Sequence, residues 1–461
     1  MKRPDFPNHT EIIRKWGPPF KPYGKKTYRT NSDFFAELYF KQFPVRYYSN
    51  AGMFLFDGDG WSLLSESEII NEIEKLILET AVDCGVDMSG QITEQNLHEI
   101  LQKVKRRHSG GEIPALEDDV LPVRNCLLRW DESLEDFTAE VYTVGLFILN
   151  KFSVDYIQGA LAPEFTAVLN RIMPDLEDQR VAQEMLGAMM FCKNRTRKFL
   201  LCYGEGGCGK SVLILILIAI MTDKRFFDLQ IEHLKNTYEL ASLKEQTCFT
   251  VSESISEAFC TSGGEWIKKA IGGDFIETKQ KFKNEKIKHY GLFSLIVVSN
   301  NTLRFSFEGR GDEWRDRLVP IYFNQHIPEE ERDKDLVSNL LKKEGPGIFN
   351  WFLEGARRVR RNKWRIELSP VQRDRIEKLL AFSDPMTVFV QNHISYSAGE
   401  YFLSSEAWQR YVKIRTSSGF PLFTEEAFYK KLSAAMDKIN HTCVVNSLPG
   451  KKRGYRDFRL K

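Results

Sequence analysis

The sequence lacks cysteines spaced for a metal, an apolar run long enough to cross a membrane, and an appreciable net charge of either sign. Its eight cysteines (Cys84, Cys126, Cys192, Cys202, Cys208, Cys248, Cys260 and Cys443) form no C-x-x-C pair. Several sit in apolar runs, where a thiol packs as a small hydrophobe. Structural zinc is therefore not expected, and a reducing compartment is. The most apolar stretch, Val212–Met221, is too short to span a bilayer, and no secretory signal opens the sequence. The expectation is a cytoplasmic protein, in a bacterial host cell or at a viral replication site, with no membrane partner. Sixty-five basic against 63 acidic residues leave a net charge of only +2, so any nucleic-acid contact must come from local patches. A hydrophobic content of 42% excludes a disordered chain, and 461 residues suffice for two to four domains.

What the sequence does contain is a glycine loop in the right setting. Gly204, Gly209, Lys210 and Ser211 satisfy G-x-x-x-x-G-K-[ST], and Gly206 and Gly207 add freedom within it. Lys198–Tyr203 reads as a short buried strand and Val212–Met221 as a helix, so strand, loop and helix follow in order. Such a loop turns successive backbone N–H groups toward phosphates, and the helix N-terminus adds a positive dipole. Gly204, Glu205, Gly206, Gly207, Cys208, Gly209, Lys210 and Ser211 are the expected cradle for ATP. Lys210 would reach the β- and γ-phosphates, and the Ser211 hydroxyl would bind Mg²⁺.

The remainder of the chain supplies context. Five prolines punctuate the first 22 residues, which suggests a partly extended arm over 1–45. Apolar Met53–Phe56 before Asp57-Gly58-Asp59-Gly60-Trp61 predicts a β-hairpin; a metal pair at Asp57 and Asp59 is the rival reading. Ser65 and Glu68 form a capping box ahead of a helix through Ile69, Ile73, Leu76 and Ile77. A second helix runs from Thr93 to the basic Lys103–Arg107, an end suited either to a helix C-terminus or to phosphates. Ser109–Pro122 reads as a linker. From Asp131 to Arg195 the chain reads helical, with Pro163 at a first helical position and Phe165, Val168, Leu169 and Ile172 on one stripe.

Beyond the glycine loop, Thr247–Ser252 predicts a second strand ending at Glu253, which would order the Mg²⁺ shell and polarise the attacking water. Leu292–Ser299 predicts a third strand. Asn300 at its tip would hold that water, with Asn301 as alternate. Between them, Lys279, Lys281, Phe282 and Lys283 alternate charge with an aromatic. That pattern fits either a solvated hairpin or a loop gripping a nucleic-acid backbone. Arg317, ahead of apolar Val319–Phe323, is the choice for an arginine finger completing a neighbouring subunit's site, with Arg315 and Arg310 competing. Arg357, Arg358, Arg360, Arg361, Lys363 and Arg365 form a basic cluster that is either solvated or DNA-facing. Helical runs at Glu406–Ile414 and Glu425–Met436, then a basic hairpin around Ser447–Arg453, give a winged-helix pattern.

These residues stand in the order of a known family. Gly204–Ser211, the Ser252-Glu253 acid, Ile267-Lys268-Lys269-Ala270-Ile271-Gly272-Gly273-Asp274, Val297-Val298-Ser299-Asn300-Asn301 and Trp314-Arg315-Asp316-Arg317-Leu318 resemble superfamily 3 helicases. The likeness is to the poxvirus and satellite-phage primase-helicase branch. It extends upstream through Leu121–Leu128, Phe152–Tyr156 and Gln183–Ala188, and downstream to Arg453–Leu460. Ser252 stands where many such ATPases carry Asp, and Cys126 where glycine is usual. The resemblance covers 120–461 and does not extend to a primase site in the first 120 residues.

The resemblance implies an α/β protein with an AAA+ P-loop ATPase core, a preceding helical domain and a C-terminal winged helix, joined to a mixed N-terminal domain. The expected divisions are 1–120, 121–195 (helical), 196–330 (ATPase), 331–385 (helical region and basic linker) and 386–461 (DNA-binding). It also implies a ring, hexameric in most members, moving 3′ to 5′ on single-stranded or forked DNA at the expense of ATP and Mg²⁺. A separate primase or polymerase would be a partner. The expected function is that of a replicative DNA helicase of a phage, virus or mobile element. The rivals are an origin-binding initiator and a packaging or signalling ATPase that does not unwind.

Overall fold

A computed structural model describes residues 9–24, 27–107, 109–111, 113–114, 116–191, 193–222, 226–228, 248–252, 264–279, 286–290, 292–303, 305, 312–415, 422–440, 442, 444–448 and 452–461. The chain divides into two compact units, Met1–Tyr156 and Ile157–Lys461.

The first unit contains α1 (His9–Trp16), β1 (Phe20–Pro22), β2 (Tyr28–Thr30), α2 (Ser32–Gln42), β3 (Val45–Tyr48), β4 (Gly52–Phe56), β5 (Trp61–Leu64), α3 (Glu66–Asp83) and α4 (Glu94–Arg107). Then come β6 (Ser109–Gly110), β7 (Val120–Pro122), β8 (Leu127–Asp131) and β9 (Asp136–Glu140). The expected arm over 1–45 is instead folded through most of its length. Asn31 caps α2, accepting from Phe34 N and donating to the Trp16 and Pro18 carbonyls, and Phe34, Phe35, Leu38 and Tyr39 are buried. Prolines here break elements without keeping the chain out of the core. The Asp57–Gly60 hairpin forms as expected: Asp57 Oδ1 accepts from the Asp59 and Gly60 amides, so its carboxylate serves the turn. The Ser65–Glu68 capping box is present. The basic end of α4 is occupied by ion pairs: Lys103 and Arg107 with Asp33, Arg107 also with Glu37, and Lys105 with Glu66.

The helical reading of 131–195 fails in its first half. β7, β8 and β9 form an antiparallel sheet, with Trp130 and Phe137 paired across strands at 5.2 Å. Asp131 Oδ1 accepts from Ser133 N and Leu134 N, which makes a turn where a helix was expected. No described helix begins after α4 until Pro163.

The second unit opens with α5 (Pro163–Ile172) and α6 (Leu176–Met189), followed by β10 (Phe199–Tyr203), α7 (Lys210–Met221), β11 (Phe226–Asp228), β12 (Cys248–Ser252) and α8 (Gly264–Gly272). The hairpin β13 (Phe275–Lys279) and β14 (Lys286–Tyr290) precedes β15 (Ser294–Ser299), α9 (Asp312–Arg315) and β16 (Leu318–Tyr322). Five strands form one parallel sheet in the order β11-β12-β15-β10-β16. β10 and the Leu295–Val298 centre of β15 are apolar runs, as strands covered on both faces require. One face packs Phe199, Leu201, Leu295 and Val297 against Ile267 and Ile271 of α8, Trp314 of α9, and Ile376, Leu379 and Leu380.

The last three belong to α11 (Pro370–Ser383), which follows the long α10 (Leu336–Arg361). α10 crosses α6 at glycines: a Cβ on Gly355 would lie 1.9 Å from Gln183 O, and one on Gly187 2.3 Å from Ala356 N. Part of the basic cluster is spent at this crossing, where Arg358 bonds Gln183 and Glu184. Finally α12 (Pro385–His393), β17 (Ile394–Leu403), α13 (Ser404–Ile414), α14 (Glu425–Asn440), β18 (Val445–Leu448) and β19 (Lys452–Leu460) surround their own core of Phe389, Tyr411, Phe428 and Tyr455. The predicted helical runs and the antiparallel β18–β19 hairpin are all observed there. The molecule is thus mixed α/β. No helix among the described residues is long and apolar enough to cross a membrane.

Candidate functional site

All five strands of the parallel sheet run the same way, so their C-terminal ends share one edge, where parallel sheets of this kind bind ligands. β10 is flanked on both sides, and its Tyr203 leads directly into the glycine loop. The backbone of the loop explains its composition. Gly204, Gly207 and Gly209 have φ of +145°, +81° and +78°, which side chains rarely tolerate. Gly204 has a second constraint: a Cβ there would lie 1.9 Å from Phe323 O. Gly209 is the N-cap of α7, and Lys210 is the first residue of that helix.

Lys210 is 5% exposed, and its Nζ donates to Gly204 O at 2.7 Å and Glu205 O at 2.5 Å. The ammonium is thereby folded back over the concave backbone. Ser211, in the first turn of α7, is exposed. Cys208 is buried, as is Cys202 beneath the loop; burial pushes the Cys202 thiol up to about 12, leaving it inert. Three glycines at positive φ, a buried lysine and an open hydroxyl at a helix N-terminus together fit a polyphosphate with a divalent cation.

The neighbouring strand ends lie beside the loop. Gly204 N donates to Ser299 O at 3.2 Å, so Asn300, the next residue and an exposed one, adjoins the loop. Ser299 Oγ donates to Asn301 O and accepts from Asn301 N, forming the turn that ends β15. β12 is one strand further out, with Ser252 registered on Val298. Two interstrand steps separate its tip from the loop strand, about 10 Å. Glu253 lies outside the described residues, as do Lys281, Phe282 and Lys283. Lys279 ends β13, paired in register with Lys286 of β14, so the predicted hairpin exists and its tip falls beyond what is described. Among the described residues no cluster of three His, Cys, Asp or Glu side chains could hold a metal.

Arg317 stands apart from this group. Its carbonyl accepts from Phe199 N, at the beginning of β10 and therefore at the opposite edge of the sheet from Gly204. Its Nη1 donates to Glu313 O at 2.8 Å. Arg315 pairs with Glu377 through two bonds of 2.6 and 2.9 Å. Arg310 lies outside the described residues.

Sequence reading missed the segment that leaves β16. Phe323 N donates to Tyr203 O, and Ile327 N donates to Gly207 O at 3.1 Å, pinning residues 323–327 to the loop. Arg332 follows: a Cβ on Gly207 would lie 2.2 Å from its Nη2 and 3.3 Å from His326 Cε1. No motif marks these residues, because they lie more than a hundred positions from the loop they touch.

No family model and no curated protein matches the sequence. Three solved structures of the NrS-1 C-terminal region align with it at 12% identity, covering 92% of this chain and 98% of theirs, with TM-scores of 0.48, 0.47 and 0.46.

Proposed function

We propose that the protein is an ATP-hydrolysing DNA helicase. The observation that carries this reading is the glycine loop itself, with three left-handed glycines, a buried Lys210 folded over it, and Asn300 adjoining it at the same sheet edge. In this reading Gly204–Ser211 bind the phosphates of ATP, and Ser211 with Glu253 hold Mg²⁺. The cation, when bound, neutralises charge on the phosphates. Glu253 takes a proton from the attacking water, Asn300 orients that water, and Lys210 stabilises the charge that develops on the transferred phosphoryl group.

The motif order set out above supports the finer assignment to a superfamily 3, AAA+ type ring with a winged-helix C-terminus. The position of Arg317 is compatible with it: at the far edge of the sheet it does not serve its own loop, and in this reading it serves a neighbour's. The lysines of the β13–β14 hairpin, which lies in sequence between the acid strand and the Asn300 strand, grip the phosphates of one DNA strand. Such contacts carry affinity without sequence information.

The test is strand displacement of a forked duplex with ATP and Mg²⁺. The wild-type chain should separate the fork, and the Lys281→Ala/Lys283→Ala double variant should not, while keeping its basal ATP hydrolysis. Wild-type protein that hydrolyses ATP yet leaves forks of either tail polarity intact would favour an initiator or a packaging motor.

A further inference from the structure

We propose that Arg332 is a phosphate-binding cation of the glycine loop, supplied in cis by the segment that leaves β16. The inference rests on the nucleotide reading of the loop and adds a residue to it. Three observations point there. The guanidinium lies against Gly207, a position whose φ of +81° and missing side chain let another group approach the backbone. Its approach is built. Ile327 N donates to Gly207 O, Arg332 Nε donates to Ile327 O at 2.9 Å, and a short 3-10 turn, Glu329–Glu331, brings the chain back. Lastly, Arg332 makes no ion pair with any described residue, although three glutamates precede it. Glu331 is taken by Arg171 of α5.

Electrostatics then favours an anion at this place. The N-terminus of α7, Lys210 and Arg332 all place positive charge against the same short loop, and an anion bound there is drawn to each of them. A guanidinium presents paired N–H donors matched to phosphate oxygens, which a lysine cannot reproduce. The ligand class is a nucleoside di- or triphosphate. The same segment runs on into α10.

The experiment is equilibrium binding of fluorescent ATP and ADP analogues to the full chain, with thermal melting of each protein measured without nucleotide. Arg332→Ala should weaken both nucleotides by roughly 10- to 100-fold, the range for charge-assisted hydrogen bonds. Arg332→Lys should fall between, and the unliganded melting temperature should stay at the wild-type value. Wild-type affinity in Arg332→Ala, with binding lost in Lys210→Ala, would overturn the proposal and leave the nucleotide site standing. A lowered unliganded melting temperature in Arg332→Ala and Arg332→Lys alike, with equal loss of binding, would mean that Arg332 only braces Ile327, and the proposal fails. If the wild-type chain binds neither nucleotide, the reading of the loop fails and Arg332 falls with it.

Discussion

Lys210 satisfies its charge on the Gly204 and Glu205 carbonyls, a bonding state that a phosphate can exchange without reorganising the core. The residue therefore binds. Turnover needs another group. In the proposed site that group is Glu253, one residue past the end of β12, two strands from the loop. A carboxylate following that strand can take a proton from the attacking water, and an amide cannot. Glu253→Gln should thus bind ATP with near wild-type affinity while steady-state hydrolysis falls by at least about 100-fold, the lower range of a general base. Binding and hydrolysis both at the wild-type level would remove Glu253 from the chemistry.

At the scale of elements, the crossing of α6 and α10 fixes how the helices sit on the sheet. Gly355 meets Gln183 O, and Gly187 meets Ala356 N, so the two backbones touch with no side chain between them. A methyl group at residue 355 cannot be absorbed by a rotamer change, because the obstructing atom belongs to a helix backbone. Gly355→Ala should cost about 3 kcal/mol, the upper end of an overpacking penalty, read as a lower denaturant midpoint. An unchanged midpoint would contradict the close approach. Nothing in the sequence singles out Gly355, since a close approach belongs to two segments at once. Local signals, by contrast, are legible. The Ser65–Glu68 box, Pro163 at the start of α5 and the apolar runs of β10 and β15 each carry their cause within a few residues. The failed helix over 131–162 is instructive for the same reason. Its apolar residues suit a half-buried strand equally well, and the Asp131 turn decides between them.

For the whole molecule, the two edges of the parallel sheet carry different charge-bearing groups. The glycine loop, Asn300 and the end of β12 share one, and Arg317 stands at the other. Five residues of extended strand separate Arg317 from Tyr322, about 17 Å, so no side-chain rotation brings its guanidinium to its own loop. Motif order led the sequence reading to a finger acting between subunits; the placement of Arg317 keeps it from its own loop, and its action on a neighbour's is left to the mixing experiment below. Arg332, on the loop side, could be found only once the chain was folded.

The central claim, an ATP-driven motor assembled from copies of this chain, is tested most directly by steady-state ATP hydrolysis in the presence of single-stranded DNA. The assay compares wild type, Lys210→Ala, Arg317→Ala and an equimolar mixture of the two variants. The account predicts hydrolysis by wild type that DNA stimulates, none by either variant alone, and partial recovery in the mixture, where an intact loop can meet an intact finger. Hydrolysis by Lys210→Ala at the wild-type rate, or none by wild type with or without DNA, would contradict it.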